Sequence, residues 1–88
     1  MKEFSKLDAK RIGDTMGINW DEINLDEFTI GLNVELEHGT RFPESNVTND
    51  NEVITGKIAW AHLKEFPDYY TRLEKMEVEA EAYWKSKV

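Results

Sequence analysis

The sequence predicts an all-α fold, a compact four-helix domain with helices near residues 6–16, 25–38, 50–66 and 68–86 in a single domain spanning 1–88. Three observations carry this reading. No segment alternates apolar and polar residues with a period of two, as a half-buried strand would. Apolar residues recur instead at spacings of three and four in four separate stretches. These stretches are bounded by helix punctuation: Ser5 and Asn24 at starts, Gly17 and Gly39 at ends, and Pro67 between the last two.

Ser5 followed by Asp8 forms a capping-box pattern, with Phe4 and Ala9 at the staple positions. Ala9, Ile12 and Met16 make the inward stripe, and Gly17 supplies the left-handed stop. Leu7 falls off that stripe, on a side where a neighbour would have to meet it. Residues 18–24 connect, with Ile18, Trp20 and Ile23 turned inward. Asn24 and Glu27 repeat the capping pattern before the second helix, which Gly39 should end. Residues 40–49 form a polar loop containing Pro43. Asn49 or Asp50 should cap the third helix. Pro67 breaks it, because proline lacks an amide proton and pushes the preceding Phe66 out of helical geometry. In the fourth helix, Tyr69, Leu73, Met76, Ala80 and Tyr83 or Trp84 form the expected buried stripe, and Glu81 with Lys85 is spaced for pairing along the helix.

Composition excludes several classes. Without cysteine there is no disulfide and no thiolate metal site. No apolar run reaches the length of about 18 residues that a membrane-spanning helix needs. The N-terminal segment lacks the apolar centre of a signal peptide, so the expected location is cytoplasmic and the Asn46-Val47-Thr48 sequon is disregarded. The net charge of -7 lies in residues 1–52, where twelve acids face five bases; residues 53–88 are balanced. Phosphate contacts need Lys and Arg, so direct nucleic-acid binding is not expected. An acidic chain suits a basic partner, a cation, or simply solubility.

Two helical faces carry an unusual constellation. At about 100° per residue, Leu25, Phe28, Leu32 and Leu36 share one arc of the second helix, with Ile30 and Val34 on the far side. Glu35, Gly31 and His38 lie between these two apolar patches, and Gly31 would let another helix approach closely. On the third helix Ile54, Ile58 and Ala61 form one stripe, with Glu65 in its middle and His62 beside it. Glu65 is therefore expected to be buried, and a buried carboxylate needs a partner.

Three readings follow. Glu35, His38, His62 and Glu65 could satisfy one another as a structural polar cluster. They could converge on a divalent metal, since ExxH on one helix and HxxE on the next put each pair on one face. Two nitrogens and two oxygens suit zinc, or iron or manganese with water completing the shell. Asp68, Tyr69 and Tyr70 would then stand around the ligands. Or the face could line a pocket. Nucleotide-binding, zinc-protease and serine-hydrolase motifs are all missing, and Asn49 to Glu52 lacks the glycine and terminal Glu of a calcium loop. Trp84 is the best candidate for an exposed contact.

The strings IGDTMGINW, GLNVELEHGT and TGKIAWAHLKEFPDYYTRLEKME resemble the DUF5661 family of small uncharacterised proteins, over about Ala9 to Ala80. VELEHG and AHLKEFPDYYTRL are the distinctive parts. The resemblance implies a shared fold and brings no activity or catalytic residue with it. The functional expectation is a non-enzymatic protein-binding or accessory module with a His/Glu cluster at its centre. The alternative is a metal-binding protein, extending to a metal-dependent enzyme.

Overall fold

The computed structural model describes residues 3–41, 44 and 51–87, the side chains of 38–41 excepted. It contains four helices and, among the described residues, no strand: α1 (Lys6–Met16), α2 (Leu25–Arg41), α3 (Glu52–Glu65) and α4 (Tyr69–Lys85). Helix α2 is central and packs against the other three, whereas α1 and α4 make no helix-to-helix contact.

Local chemistry sets the ends. The Ser5 hydroxyl accepts from the Asp8 amide at 3.1 Å and the Asp8 carboxylate accepts from the Ser5 amide at 3.0 Å, completing the capping box. Gly17 closes α1 at φ 79°, a conformation that costs a side-chain-bearing residue dearly and glycine little. Asn24 accepts from the Glu27 amide at 3.0 Å. The other half of that box does not form, because the Glu27 carboxylate turns to α4 instead. Helix α2 continues past Gly39 to Arg41. A glycine is a stop only when it adopts the left-handed conformation, and among the described residues Gly17 alone does so. The cap of α3 is Asn51, which accepts from the amides of Val53 and Ile54, both at 3.0 Å. Asn49 and Asp50, the expected caps, lie outside the described residues, as does most of the 40–49 loop. Phe66 leaves the helix at φ -151°, ahead of Pro67.

The core is built from Phe4, Ile12, Ile18, Ile23, Phe28, Leu32, Leu36, Leu63 and Tyr70, with Ala9 and Ala59 at close contacts. The face of α3 that is buried differs from the expected one. Ile54 is exposed, Ile58 half-buried and Ala61 exposed, while Thr55, Gly56, Ala59 and Leu63 face inward. The helix is apolar nearly all round, so a wheel alone could not choose. Size chose: a Cβ on Gly56 would stand 3.1 Å from both Ile12 Cγ2 and Met16 Sδ, so the small residues are where α1 and α2 come closest. Leu7 is 84% exposed and meets no neighbour from the other side.

Long-range polar ties join Phe4 and α1 to the rest of the bundle, among them Lys6 with Asp26 at 2.9 Å. The Asn33 side chain accepts from the Phe4 amide at 2.7 Å and donates to the Phe4 carbonyl at 2.9 Å. The Arg11 guanidinium grips the Glu52 carboxylate with both terminal nitrogens, at 2.9 and 3.2 Å.

Helix α4 departs most from expectation. Tyr70 is its only buried residue, and Tyr69 and Leu73 are half-buried. From Glu74 to Lys87 every residue is exposed, including Met76, Ala80, Tyr83 and Trp84 of the expected buried stripe. The helix outruns the bundle, which explains a radius of gyration of 13.7 Å against about 12 Å for a compact chain of this length.

Candidate functional site

Three helices meet at Glu35, His62 and Tyr70. Glu35 lies on α2 one turn after Gly31, so both face the same way. The absence of a side chain at Gly31 admits the Tyr70 ring: a Cβ there would overlap its edge, 2.8 Å from Cδ2 and 2.9 Å from Cζ. The expected close approach at Gly31 is thus made by an aromatic ring rather than by a second backbone.

The Tyr70 ring is 1% exposed, and its hydroxyl donates to Glu35 Oε2 at 2.8 Å. Burial, followed by the charge of Glu35 and this hydrogen bond, holds the phenol far above its ordinary ionisation range near 10. Tyr70 is therefore a fixed donor at any physiological pH. His62, from α3, brings Nε2 to 3.8 Å from the same Glu35 oxygen. Its ring stacks on Tyr69 at 4.4 Å between centroids and 10° between planes, and Tyr69 meets Tyr70 edge-on at 5.0 Å. The tyrosine pair at the start of α4 thus holds both remaining members of the junction, one by a hydrogen bond and the other by stacking.

The other expected members are placed differently. Glu65 has a side chain 78% exposed, a correction to its expected burial. The cause is the rotation of the α3 buried face described above, which carries position 65 outward. Its Oε2 lies 3.9 Å from His62 Nδ1, on the opposite side of the ring from Glu35. Asp68 turns to Arg72 at 2.9 Å. The His38 side chain lies outside the described residues. Among the described residues no group of three or more His, Cys, Asp or Glu is arranged to hold a metal ion.

A buried polar contact beside the junction also escaped the sequence. The buried Glu27 carboxylate accepts from the Thr71 hydroxyl of α4 through Oε1, while its Oε2 has no partner. The capping position of Glu27 offered a complete local explanation for an acid there, and nothing in the spacing pointed across 44 residues.

Beside the junction lies an open groove of about 520 Å³, lined by Glu65, Phe66, Tyr69, Arg72, Leu73 and Met76. Arg72 lies over the Phe66 ring at 4.4 Å, closing one side. Beyond Met76 every described residue of α4 is exposed.

The fold and the junction define an all-α four-helix domain whose third and fourth helices are locked to the second by a carboxylate, an imidazole and two phenol rings. The chain belongs to the DUF5661 family, a protein family of unknown function, whose model matches residues 9–79. The match includes the whole junction and ends within α4, before Tyr83 and Trp84. No curated protein and no solved structure matches the chain.

Proposed function

We propose that this chain is a non-enzymatic protein-binding module in which the junction aims α4 and the uncovered part of α4 makes the contact. The observation that carries this reading is the density of apolar surface there. Met76, Val78, Tyr83 and Trp84 are 57%, 62%, 54% and 66% exposed within nine residues. Scattered single apolar residues such as Val78 need no explanation, whereas Met76, Tyr83 and Trp84 share one side of α4 and end in adjacent aromatic rings, the composition of an interaction surface. The junction supports a structural role for Tyr70, whose high ionisation range leaves it a donor and not a base. The acidic balance of the chain also disfavours nucleic acid as the partner.

The test is cross-linking in extract of the source cells with the wild-type chain and with a Met76→Glu, Tyr83→Glu double variant. The expected result is a set of cross-linked proteins present for the wild type and lost for the variant, at unchanged melting temperature. Identical sets for both chains would sink the reading.

A second reading is a divalent metal held by Glu35, His38 and His62, with Glu65, the fourth residue of the expected set, behind the imidazole. The observation favouring it is the 3.8 Å between Glu35 Oε2 and His62 Nε2. Two ligands at about 2.1 Å from a tetrahedral zinc lie roughly 3.4 Å apart, so a small movement would seat an ion between them. His38 follows Glu35 by three residues in the sequence, the ExxH spacing. Glu65, on the opposite ring nitrogen, occupies the place of a carboxylate that orients a metal-bound imidazole. Thermal melts with EDTA and with added zinc, manganese or iron, beside elemental analysis, decide it. Metal near one per chain, with a melting temperature lowered by chelator and insensitive after His62→Ala, supports the site. A melt indifferent to both treatments removes it.

A further inference from the structure

Tyr70 is the one buried apolar residue that α4 supplies. Every other such residue among those described lies on α1, α2 or α3, or in the segments that lead into α1 and α2. Helices α1, α2 and α3 each pack against the other two, whereas α4 meets only α2 and α3. What holds α4 down falls between Tyr69 and Leu73. The Tyr70 ring fills the gap over Gly31, Tyr69 stacks on His62, and Leu73 is half-buried. Two consecutive hydroxyls are given to α2, that of Tyr70 to Glu35 and that of Thr71 to Glu27. The docked state also carries a cost. Glu27 is a buried carboxylate with one oxygen unpartnered, which is destabilising until water reaches it. Thr71 sits on its other oxygen, so lifting α4 opens this carboxylate to water and offsets part of what the Tyr70 contacts contribute.

The connection is built to turn. Phe66 is extended at φ -151°, Pro67 has no amide to bond, and the turn is closed by the Tyr69 amide on the Phe66 carbonyl at 3.1 Å. Asp68 starts α4 without a side-chain bond to the helix amides and pairs with Arg72 instead, so it travels with the helix. A few residues at the end of an element are enough to absorb a hinge motion. We propose that α4 is a hinged arm. It lifts from α2 and α3 as a unit about Phe66, Pro67 and Asp68 while α1, α2 and α3 stay folded, and it bares the Glu27 and Glu35 carboxylates and the His62 ring. The movement is a property of the free chain and needs no partner, so it stands apart from the reading of α4 as a contact surface.

Native-state hydrogen exchange on the full chain tests the arm. The Leu73 amide reports on the docked turn of α4, and the Leu32 amide on the middle of α2. Leu73 should be protected at least about tenfold less than Leu32, because opening one unit costs less than unfolding the whole chain. Ile12→Val changes a core residue on a helix that α4 does not touch. It should lower the protection of Leu32 by about three- to tenfold and leave Leu73 as it was, since the arm opens before the core does. Tyr70→Phe weakens the docked state alone, and should lower the protection of both amides by about tenfold. If Ile12→Val speeds Leu73 as much as Leu32, α4 leaves only when the whole chain unfolds, and the proposal fails. If Tyr70→Phe leaves Leu73 unchanged, the helix frays without undocking, which overturns it as well.

Discussion

The Tyr70 hydroxyl donates to Glu35 at 2.8 Å, across the space that Gly31 leaves open one turn earlier on the same helix. The donor is on α4 and the acceptor on α2, so a single contact sets how the last helix leaves the bundle. Its neighbour Tyr69 stacks on His62 and ties the same turn to α3.

Gly31→Ala should destabilise the chain. Alanine favours a helix by about 1 kcal/mol over glycine, but the added Cβ would overlap the Tyr70 ring. The ring is fully buried, so it cannot swing out into solvent without giving up its packing. A net loss of about 1–3 kcal/mol is expected from overpacking, measured by urea unfolding.

Tyr70→Phe leaves the Glu35 carboxylate, largely buried, without its phenol donor. The expected cost is about 1–3 kcal/mol at neutral pH. The alkaline limb distinguishes this variant further. In the folded chain the phenol ionises far above the value near 10 that it has when unfolded. Its contribution is fully present below about pH 10. Above that the unfolded chain loses a proton that the folded chain keeps, and stability falls by about 1.4 kcal/mol per pH unit. Unfolding curves across alkaline pH should show that slope in the wild type and a slope smaller by this amount in Tyr70→Phe.

Thr55→Val should stabilise. Thr55, on α3, is fully buried, and its hydroxyl has no hydrogen-bond partner. Valine has nearly the same shape without the unpaired polar atom. A gain of about 1 kcal/mol is expected, read as a higher urea midpoint with an unchanged slope.

Asn33→Ala should free the N-terminal segment. It removes both hydrogen bonds to the Phe4 backbone, and Phe4 is a core residue. We expect about 1–2 kcal/mol of destabilisation, near the net worth of two hydrogen bonds. Exchange of the Phe4 amide proton should accelerate markedly more than that of Leu32.

The two ends of the helical pair α3 and α4 should respond in opposite ways. Leu63→Ala empties a core position and should cost about 2–5 kcal/mol. Met76→Lys and Tyr83→Lys alter only exposed surface and should stay within about 0.5 kcal/mol of the wild type. A large loss at Met76 or Tyr83 would show that α4 is covered in solution.

Caps and breakers were legible in the chain because they act over three or four residues. Ser5 with Asp8, Gly17, Asn24 and the break at Phe66-Pro67 each do in the structure what their local chemistry requires. Part of the junction was legible too: of the expected set, Glu35 and His62 stood out as polar groups on apolar faces with Tyr69 and Tyr70 around them, and the fold brings those four together, while Glu65 is exposed and Asp68 turns to Arg72. The sequence by itself determined that the chain is four helices and where most of them begin and end.

Only the tertiary structure decided which faces are covered. Helix α3 is apolar almost all round, so the choice of its inner face depended on where Gly56, Ala59 and Thr55 let α1 and α2 come close, and that choice moved Glu65 into solvent. On α4 the stripe from Leu73 to Tyr83 has the period of a buried surface, yet only its first turns have anything to pack against. Periodicity records that a face is apolar. Whether that face is filled from within the chain or left for another molecule depends on how far the neighbouring helices reach, and α2 and α3 extend only as far as the first turns of α4.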